Sequence, residues 1–216
     1  MPFTFSEQFL KELVEWSNEA SGADKNYHIT RVAMYRALSG RFSHLNDAGK
    51  RLLSISHSRR LAPILGLPSV EVVEANYPEH NFVNLTAFSE SEFDFCISDQ
   101  VLEHVEGSPF DAFKESVRVV KSGGYVCHTT CFINPVHAHP NDFWRFTPDA
   151  LRLMAENAGC VEIRAEGWGN KDAWGLVQIG LRRLPLTDDV GHPLNKLATR
   201  NDKRWPMVVW VTAQKP

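Results

Sequence analysis

Short apolar runs alternate with segments of helical periodicity along most of the chain. Runs of strand length occupy residues 51–56, 70–74, 82–85, 93–98, 124–129, 161–166 and 207–213. Between them, apolar residues recur at three- and four-residue spacing in 59–65, 110–121 and 147–159, which predicts amphipathic helices. Because strands that alternate with helices form parallel sheets with helices on both faces, the pattern predicts an α/β fold.

The two ends of this pattern are less regular. Thr4 and Glu7 have the spacing of a capping box and predict a helix to about Ser17, and a second helix is predicted over 30–38. Residues 184–204 contain two prolines, a glycine and paired acidic residues, so we expect a long loop before the last strand. Such a loop could act as a lid or an acceptor-selecting arm, or it could be a disordered insertion.

Composition narrows the picture further. A length of 216 residues with 43% hydrophobic content suits one domain over 1–216, with a helical cover at 1–45 and a core at 50–180. The net charge of -3 gives no electrostatic reason to expect nucleic acid as a partner. Four scattered cysteines and an N-terminus without a long apolar run indicate a cytoplasmic protein with no membrane span. Its oligomeric state cannot be predicted from these features.

The first candidate site residues follow the first two strands, because open parallel sheets bind ligands beyond the carboxyl ends of their strands. Ser54, Ser56 and Ser58 stand where nucleotide-binding folds usually place glycines. Glu74 ends the second strand about 20 residues later, where a carboxylate can accept both hydroxyls of an adenosine ribose. The alternative for Glu74 is an exposed glutamate at a strand end.

Two segments carry a more specific signal, FDFCISDQVLEHV at 93–105 and RVVKSGG at 118–124. They resemble the stretch of class I S-adenosylmethionine-dependent methyltransferases of type 11 that runs from an FD strand through LEHV to RVLKPGG, with Ser122 replacing the usual proline. HPNDFWRFT at 139–147 and GWGN at 167–170 are similar to a subgroup linked to surface-sugar modification. The resemblance implies a Rossmann-like, mostly parallel sheet of seven strands with helices on both faces and an antiparallel last strand.

The resemblance also implies that S-adenosylmethionine is the cofactor. It places the serines under the methionine and ribose parts, Glu74 at the ribose and Asn84 near the adenine, while the remaining residues border the sulfonium end. The implied cofactor-binding residues are Ser54, Ser56, Ser58, Glu74, Asn84, Asp99, Gln100 and His104. Relatives usually carry an acid and glycines in the first loop, so serines there would remove an anchor and crowd the ligand.

Methyl transfer needs alignment of acceptor and methyl group, and a base where the acceptor must lose a proton. Candidate catalytic residues are His137, His139 and Asp142, which follow the fifth strand, where the acceptor should lie. The alternative for His139 and Asp142 is a structural role in which they bond neighbouring backbone. Both alternatives remain open from the sequence.

Further candidates would contact the acceptor. Arg145 could pair with an acidic group on it or form an internal salt bridge, and Trp144 and Trp168 could stack on a sugar ring or belong to the core. Asn170 is grouped with these substrate-binding candidates.

We expect no metal site among the cysteines and histidines at 127–139. The reason is that Cys127 and His128 lie in one strand, where successive side chains point to opposite faces.

We therefore predict an S-adenosylmethionine-dependent methyltransferase that acts on a hydroxyl of a sugar or other small polar acceptor, with a small molecule or glycan as partner. The altered first loop leaves a non-catalytic binding or partner subunit as the alternative. An oxidoreductase ranks third, because the chain has no dinucleotide glycine fingerprint.

Overall fold

The computed structural model describes residues 8, 11–12, 15, 28–138, 141–184, 186 and 189–216. Of the predicted helix at 4–17, the four described residues are helical, and the rest of that prediction lies outside the described residues. The chain divides into two compact units, one of Leu38–Gly167 with Val208–Pro216 and one of Met1–Ala37 with Trp168–Met207. The single domain over 1–216 stays a prediction.

A six-stranded sheet forms the centre of the larger unit. Its strands are β1 (Arg51–Ile55), β2 (Glu71–Ala75), β3 (Phe93–Asp99), β4 (Val120–Cys131), β5 (Val161–Trp168) and β6 (Val208–Gln214), in the spatial order β2-β1-β3-β4-β6-β5. The first four strands pair in parallel, whereas β6 pairs antiparallel to β4. The predicted α/β class, the mostly parallel sheet and the antiparallel last strand are confirmed.

Helices connect these strands. They are α1 (Ile29–Leu38), α2 (Leu61–Leu65), α3 (Pro109–Arg118), α4 (Pro148–Asn157), α5 (Lys171–Gln178) and α6 (Pro193–Ala198), with 3₁₀ turns at Ser58–Arg60, Leu102–His104 and Leu181–Arg183. The cap predicted at Thr147 is present, since its hydroxyl accepts a hydrogen bond from the Ala150 N–H at 3.1 Å. Pro148 occupies the first turn of α4, as the sequence indicated.

The sheet has six strands rather than seven, because residues 82–85 form turns. A lone bridge joins Asn81 to Asn84, and the Asn81 side chain accepts a hydrogen bond from the Val83 N–H at 3.1 Å. Phe82 and Leu85 are nevertheless buried in the hydrophobic core. These two apolar side chains therefore hold a loop against the core, and they do not belong to a strand.

The segment expected to be a long loop, 184–204, contains α6, and α5 precedes it without having been predicted. The Asn170 side chain caps α5 by accepting a hydrogen bond from the Ala173 N–H at 2.8 Å. Helices of six and eight residues leave a weak periodic signal, which explains why the sequence pattern missed them.

All four cysteines are buried and unpaired with one another. In the part of the chain that the structure describes, no helix combines the length and the apolar character needed to cross a bilayer.

Candidate functional site

A cavity of about 470 Å³ lies at the carboxyl ends of β1 and β3, within the larger unit. Its size falls in the range typical of small-molecule sites, roughly 300–1,000 Å³. Residues that follow β1, β2, β3 and β4 line it: Ser56, His57, Tyr77, His80, Asn81, Phe82, Gln100, Val101, His104, Val105, Glu106, Asn141 and Phe143. This is the edge of the sheet at which the sequence predicted the ligand.

The loop after β1 has the left-handed backbone that glycine usually provides. Ser56 and His57 have φ values of 50° and 61°, and the His57 N–H donates to the Asn76 side chain at 2.8 Å. Of the three predicted serines, only Ser56 lines the cavity. Ser58 is buried, and its hydroxyl donates to the Ile55 carbonyl and accepts from the Asp99 N–H at 2.8 Å. Ser58 therefore ties the first loop to the end of β3.

Glu74 and Ser54 are partners across the β1–β2 ladder. The fully buried Ser54 hydroxyl donates to Glu74 Oε2 at 3.0 Å, while Glu74 Oε1 lies 4.0 Å from Arg59 Nε. The Glu74 side chain is 25% exposed, and it lies beside the cavity-lining loop without being part of the lining. The carboxylate therefore keeps acceptor capacity for a further ligand.

Asp99 and Gln100 have different positions. The Asp99 carboxylate is buried, accepting from Arg60 Nε at 3.0 Å and from the Thr129 hydroxyl at 2.8 Å. Gln100 lines the cavity with a φ of 60°, and its N–H donates to the Thr129 carbonyl oxygen at 3.0 Å. The hydrogen bonds of Asp99 thus hold the end of β3 in place, whereas Gln100 is available to a ligand in the cavity.

Asn84, expected near an adenine, is exposed and lies outside the lining. Tyr77, His80, Asn81 and Phe82 line that side of the cavity instead. These four residues were not predicted, because they precede or begin the segment 82–85, whose apolar pattern predicts a strand and not a ligand-binding loop. The only signal for them is the cluster of turn-forming and aromatic residues after β2.

The connection after β4 packs on the 3₁₀ turn after β3. The N–H groups of Phe143 and Trp144 donate to the Glu103 carbonyl oxygen at 2.8 and 3.1 Å. His104 Nδ1 donates to the Asn141 carbonyl oxygen at 2.5 Å, because a carbonyl can only accept. In neutral His104 the lone pair therefore resides on Nε2. These bonds hold in place one wall of the cavity, which consists of His104, Asn141 and Phe143.

Asp142 and Arg145 form a clamp behind this wall. Arg145 donates through both terminal nitrogens to the Asp142 carboxylate, which also accepts from the His137 N–H at 2.8 Å. The Arg145 guanidinium holds the pKa of Asp142 well below its usual range, so this carboxylate is a poor base near neutrality. Arg145 also donates to the Pro135 carbonyl oxygen. His139, the third predicted catalytic residue, lies outside the described residues.

Glu103, in the LEHV segment, is a buried acid that was not predicted as a site residue. Its Oε2 accepts from the Thr130 hydroxyl at 2.7 Å, whereas its Oε1 has no hydrogen-bond partner among the described residues. Burial raises the pKa of this carboxyl group. His137 Nε2 lies 4.0 Å from Oε1, and burial lowers the pKa of His137. The sequence signal that could have identified Glu103 as a site residue is an acid that lies between apolar residues in this segment.

The remaining substrate-binding candidates do not line the cavity. Trp144 donates its indole N–H to the Val105 carbonyl oxygen at 2.9 Å. Trp168 is buried, and Asn170 uses its amide both to cap α5 and to donate to the Arg200 carbonyl oxygen at 2.9 Å. These geometries support structural roles, and substrate contact by them stays a prediction.

His128 is buried in the core with both ring nitrogens bonded. The Ser116 hydroxyl donates to the Phe113 carbonyl oxygen, so His128 Nε2 must donate to Ser116 at 2.9 Å. His128 Nδ1 then accepts from the Ser98 hydroxyl at 2.8 Å. Burial lowers the pKa of His128 to about 3, which keeps the ring neutral.

Comparison with protein families finds that residues 40–128 match a family model described as a methyltransferase domain. The match covers less than half of the chain and includes the loops after β1, β2 and β3. No curated protein matches the chain in sequence.

Several solved structures share the fold. Phosphoethanolamine N-methyltransferase 2 of Haemonchus contortus, solved with phosphomonomethylethanolamine and S-adenosylhomocysteine, superposes with a TM-score of 0.54 at 16% identity over 85% of this chain and 52% of that chain. The chain thus spans about half the length of that enzyme, and the same holds for the enzyme's complex with S-adenosyl-L-methionine.

Two further structures match over nearly their whole length. A methyltransferase of Thermotoga maritima, described as a possible histamine N-methyltransferase, gives a TM-score of 0.51 at 16% identity, covering 97% of this chain and 98% of that one. An S-adenosylmethionine-dependent methyltransferase of Archaeoglobus fulgidus gives 0.56 at 12% identity, covering 97% and 100%. At identities this low, the superpositions establish the shared fold alone.

Proposed function

We propose that this chain, whose residues 40–128 match a methyltransferase domain, uses S-adenosylmethionine to methylate a hydroxyl group of a small polar acceptor, a sugar among them. One observation carries the proposal. A single cavity is lined both by the loops after β1 and β3, where the cofactor would lie, and by residues after β4, where the acceptor would lie. When bound, the cofactor supplies a methyl group activated by its positively charged sulfur.

The residues present fit this cofactor. The left-handed backbone at Ser56 and His57 gives the first loop the shape usually provided by glycine, so serine in place of glycine has not changed that shape. We assign the ribose to Glu74, whose carboxylate is partly exposed and has capacity beyond its bond from Ser54. Gln100 lines the cavity and would face the sulfonium end.

The acceptor would contact the wall formed by His104, Asn141 and Phe143. An aromatic ring beside polar groups suits the apolar face and the hydroxyls of a sugar. His104 is the ionisable group that we place against the acceptor, where it takes part in removing the hydroxyl proton. His137 and Asp142 support this wall from behind, and His139 stays a candidate base from the same connection.

A methyl-transfer assay tests the proposal. The protein is incubated with S-adenosylmethionine carrying a labelled methyl group and with panels of sugars, phenols and amines, and labelled product and S-adenosylhomocysteine are measured. We expect label on a sugar or another alcohol. His104→Ala should lower turnover by roughly 10²-fold or more while cofactor affinity stays nearly constant.

The exposed His44, which lies outside the cavity lining, supplies a matched control. His44→Ala should leave turnover unchanged. Transfer to amines alone would overturn the hydroxyl assignment, and normal turnover by His104→Ala would overturn the role of that wall.

A further inference from the structure

The turn after β3 contains a buried carboxylate oxygen that no described residue satisfies. Glu103 is fully buried, and its Oε1 has no hydrogen-bond partner in the described part of the chain. Leaving a buried polar atom unpaired is costly, and more so for a charged group. An unpaired atom of this kind in a native protein needs an explanation, and a bound ion that completes its surroundings is one.

Two imidazole rings lie next to this oxygen. His137 Nε2 is 4.0 Å from Glu103 Oε1, and the centroids of the His104 and His137 rings are 5.0 Å apart. One ligand atom from each of Glu103, His104 and His137 can be chosen so that all lie within 4.8 Å of one another. A metal ion with bonds of about 2.0–2.2 Å holds neighbouring ligand atoms roughly 3–3.5 Å apart, so these atoms would have to approach one another by about 1 Å.

The other nitrogen of each ring is held in the way typical of histidine ligands. Such ligands usually donate their second N–H to a carboxylate or a backbone carbonyl, which fixes the ring and leaves one nitrogen for the metal. His104 Nδ1 donates to the Asn141 carbonyl oxygen. His137 Nδ1 lies 3.2 Å from Asp142 Oδ2 and 3.2 Å from the Pro135 carbonyl oxygen.

The Asn134 side-chain amide lies 2.9 Å from the same His137 nitrogen. It presents its oxygen to that N–H when the amide adopts its other orientation, a choice that heavy-atom positions do not decide. In this arrangement Nε2 of both histidines is available to an ion.

We propose that Glu103, His104 and His137 bind a divalent transition-metal ion, with Zn²⁺ as the best match. Two imidazole nitrogens and one carboxylate oxygen suit Zn²⁺ and Fe²⁺, whereas Mg²⁺ and Ca²⁺ prefer oxygen ligands alone. Three protein ligands leave at least one coordination position open, as in catalytic zinc sites. His104 lines the cavity, so the open position is adjacent to the acceptor wall.

The role of the ion rests on the proposed function, although its binding does not. An acceptor hydroxyl that occupies the open position would lose its proton to solvent water more readily, because the cation stabilises the alkoxide. His104 would then take part in proton removal as a ligand.

Metal titration of the untagged, chelator-treated protein tests the site, without cofactor or acceptor. Zn²⁺ is titrated by calorimetry, and Co²⁺ is used as a spectroscopic probe whose visible absorption reports nitrogen and oxygen ligands. The parent should bind one equivalent of each ion. His137→Ala and Glu103→Gln should each weaken Zn²⁺ binding by roughly 100-fold or more, because each removes a ligand.

His80→Ala is the matched control, since His80 lines the same cavity but does not belong to the group of three ligands, and its ring packs on Phe88. It should bind Zn²⁺ like the parent. Circular dichroism and melting temperature establish that each variant is folded, and Co²⁺ absorption of the parent decides the outcome should Glu103→Gln not fold.

A parent that binds neither ion at 100 µM, an order-of-magnitude threshold well above the Kd of a built zinc site, overturns the proposal. The proposal is also overturned if both ligand variants bind Zn²⁺ with the same affinity as the parent. Since methyl transfer is measured separately, failure of this site and failure of the proposed function are distinguishable.

Discussion

Ser56, Glu74 and His104 are three of the side chains to which we assign ligand binding. Ser56 adopts a left-handed backbone without being glycine, and Glu74 keeps acceptor capacity beyond its bond from Ser54. The resemblance could assign these residues because they are defined by position after a strand. It could not show that Ser54 and Ser58 face into the structure, because burial and hydrogen bonding depend on neighbouring strands.

Glu74→Ala should weaken S-adenosylmethionine binding by about 1 to 3 kcal/mol, because charge-assisted hydrogen bonds to the ribose hydroxyls would be lost. Glu74→Gln should lose less binding free energy, since its amide oxygen still accepts a hydrogen bond from one ribose hydroxyl. Calorimetry measures both affinities. The control is Glu71→Ala, at the exposed start of the same strand, which should bind like the parent. Parent-like binding by folded Glu74→Ala would refute the ribose assignment.

His128 should make the free energy of unfolding depend on pH. Its pKa is about 3 in the folded state, against about 6.5 for an unperturbed histidine, so the unfolded chain takes up a proton first as pH falls. The stabilisation is complete above pH 6.5 and is lost progressively towards pH 3. From pH 7 to pH 5 the loss should be about 2 kcal/mol.

Urea unfolding of the parent and of His128→Gln at several pH values measures this effect. The variant should be less stable at pH 7 but lose about 2 kcal/mol less over that interval. Parallel profiles for the two proteins would show that His128 is not held neutral in the folded state.

At the scale of elements, the sheet and its capped helices follow from local patterns. Thr147 followed by Pro148 predicted the start of α4 because capping involves only neighbouring residues. The strand predicted at residues 82–85 was wrong, since Phe82 and Leu85 are apolar because they contact a core assembled from distant segments. Four cavity-lining residues near this loop were missed for that reason. Glu103 was missed because its unpaired oxygen depends on burial within the tertiary structure.

The connection after β4 should depend on the Asp142–Arg145 clamp. Asp142→Asn replaces one acceptor oxygen by an amide that faces the guanidinium, and it should lower the free energy of unfolding by roughly 1–3 kcal/mol. Acceptor KM should rise because the wall containing Asn141 and Phe143 loosens. The shape of the pH–rate profile should not change, because Asp142 stays ionised near neutrality.

The exposed Glu156 on α4 provides the matched control, and Glu156→Gln should alter neither stability nor KM. Loss of the acidic limb from the pH–rate profile of Asp142→Asn, at unchanged stability, would instead identify Asp142 as the base, because a general base is inactivated by protonation at low pH.

For the whole molecule, the alternation of strands and helices was sufficient to predict the α/β class, and the resemblance supplied the cofactor. The sequence could not predict the acceptor, because the cavity wall to which we assign it combines residues from the connections after β3 and β4. The neighbours do not supply it either, since they share the fold at 12% to 16% identity. The central claim is therefore that this cavity binds S-adenosylmethionine for methyl transfer.

Calorimetric titration of the purified chain with S-adenosylmethionine and with S-adenosylhomocysteine tests that claim most directly. The account predicts one site per chain for each ligand and weaker binding of both by Glu74→Ala. No heat of binding for either ligand at millimolar concentration, with the protein folded, would contradict it.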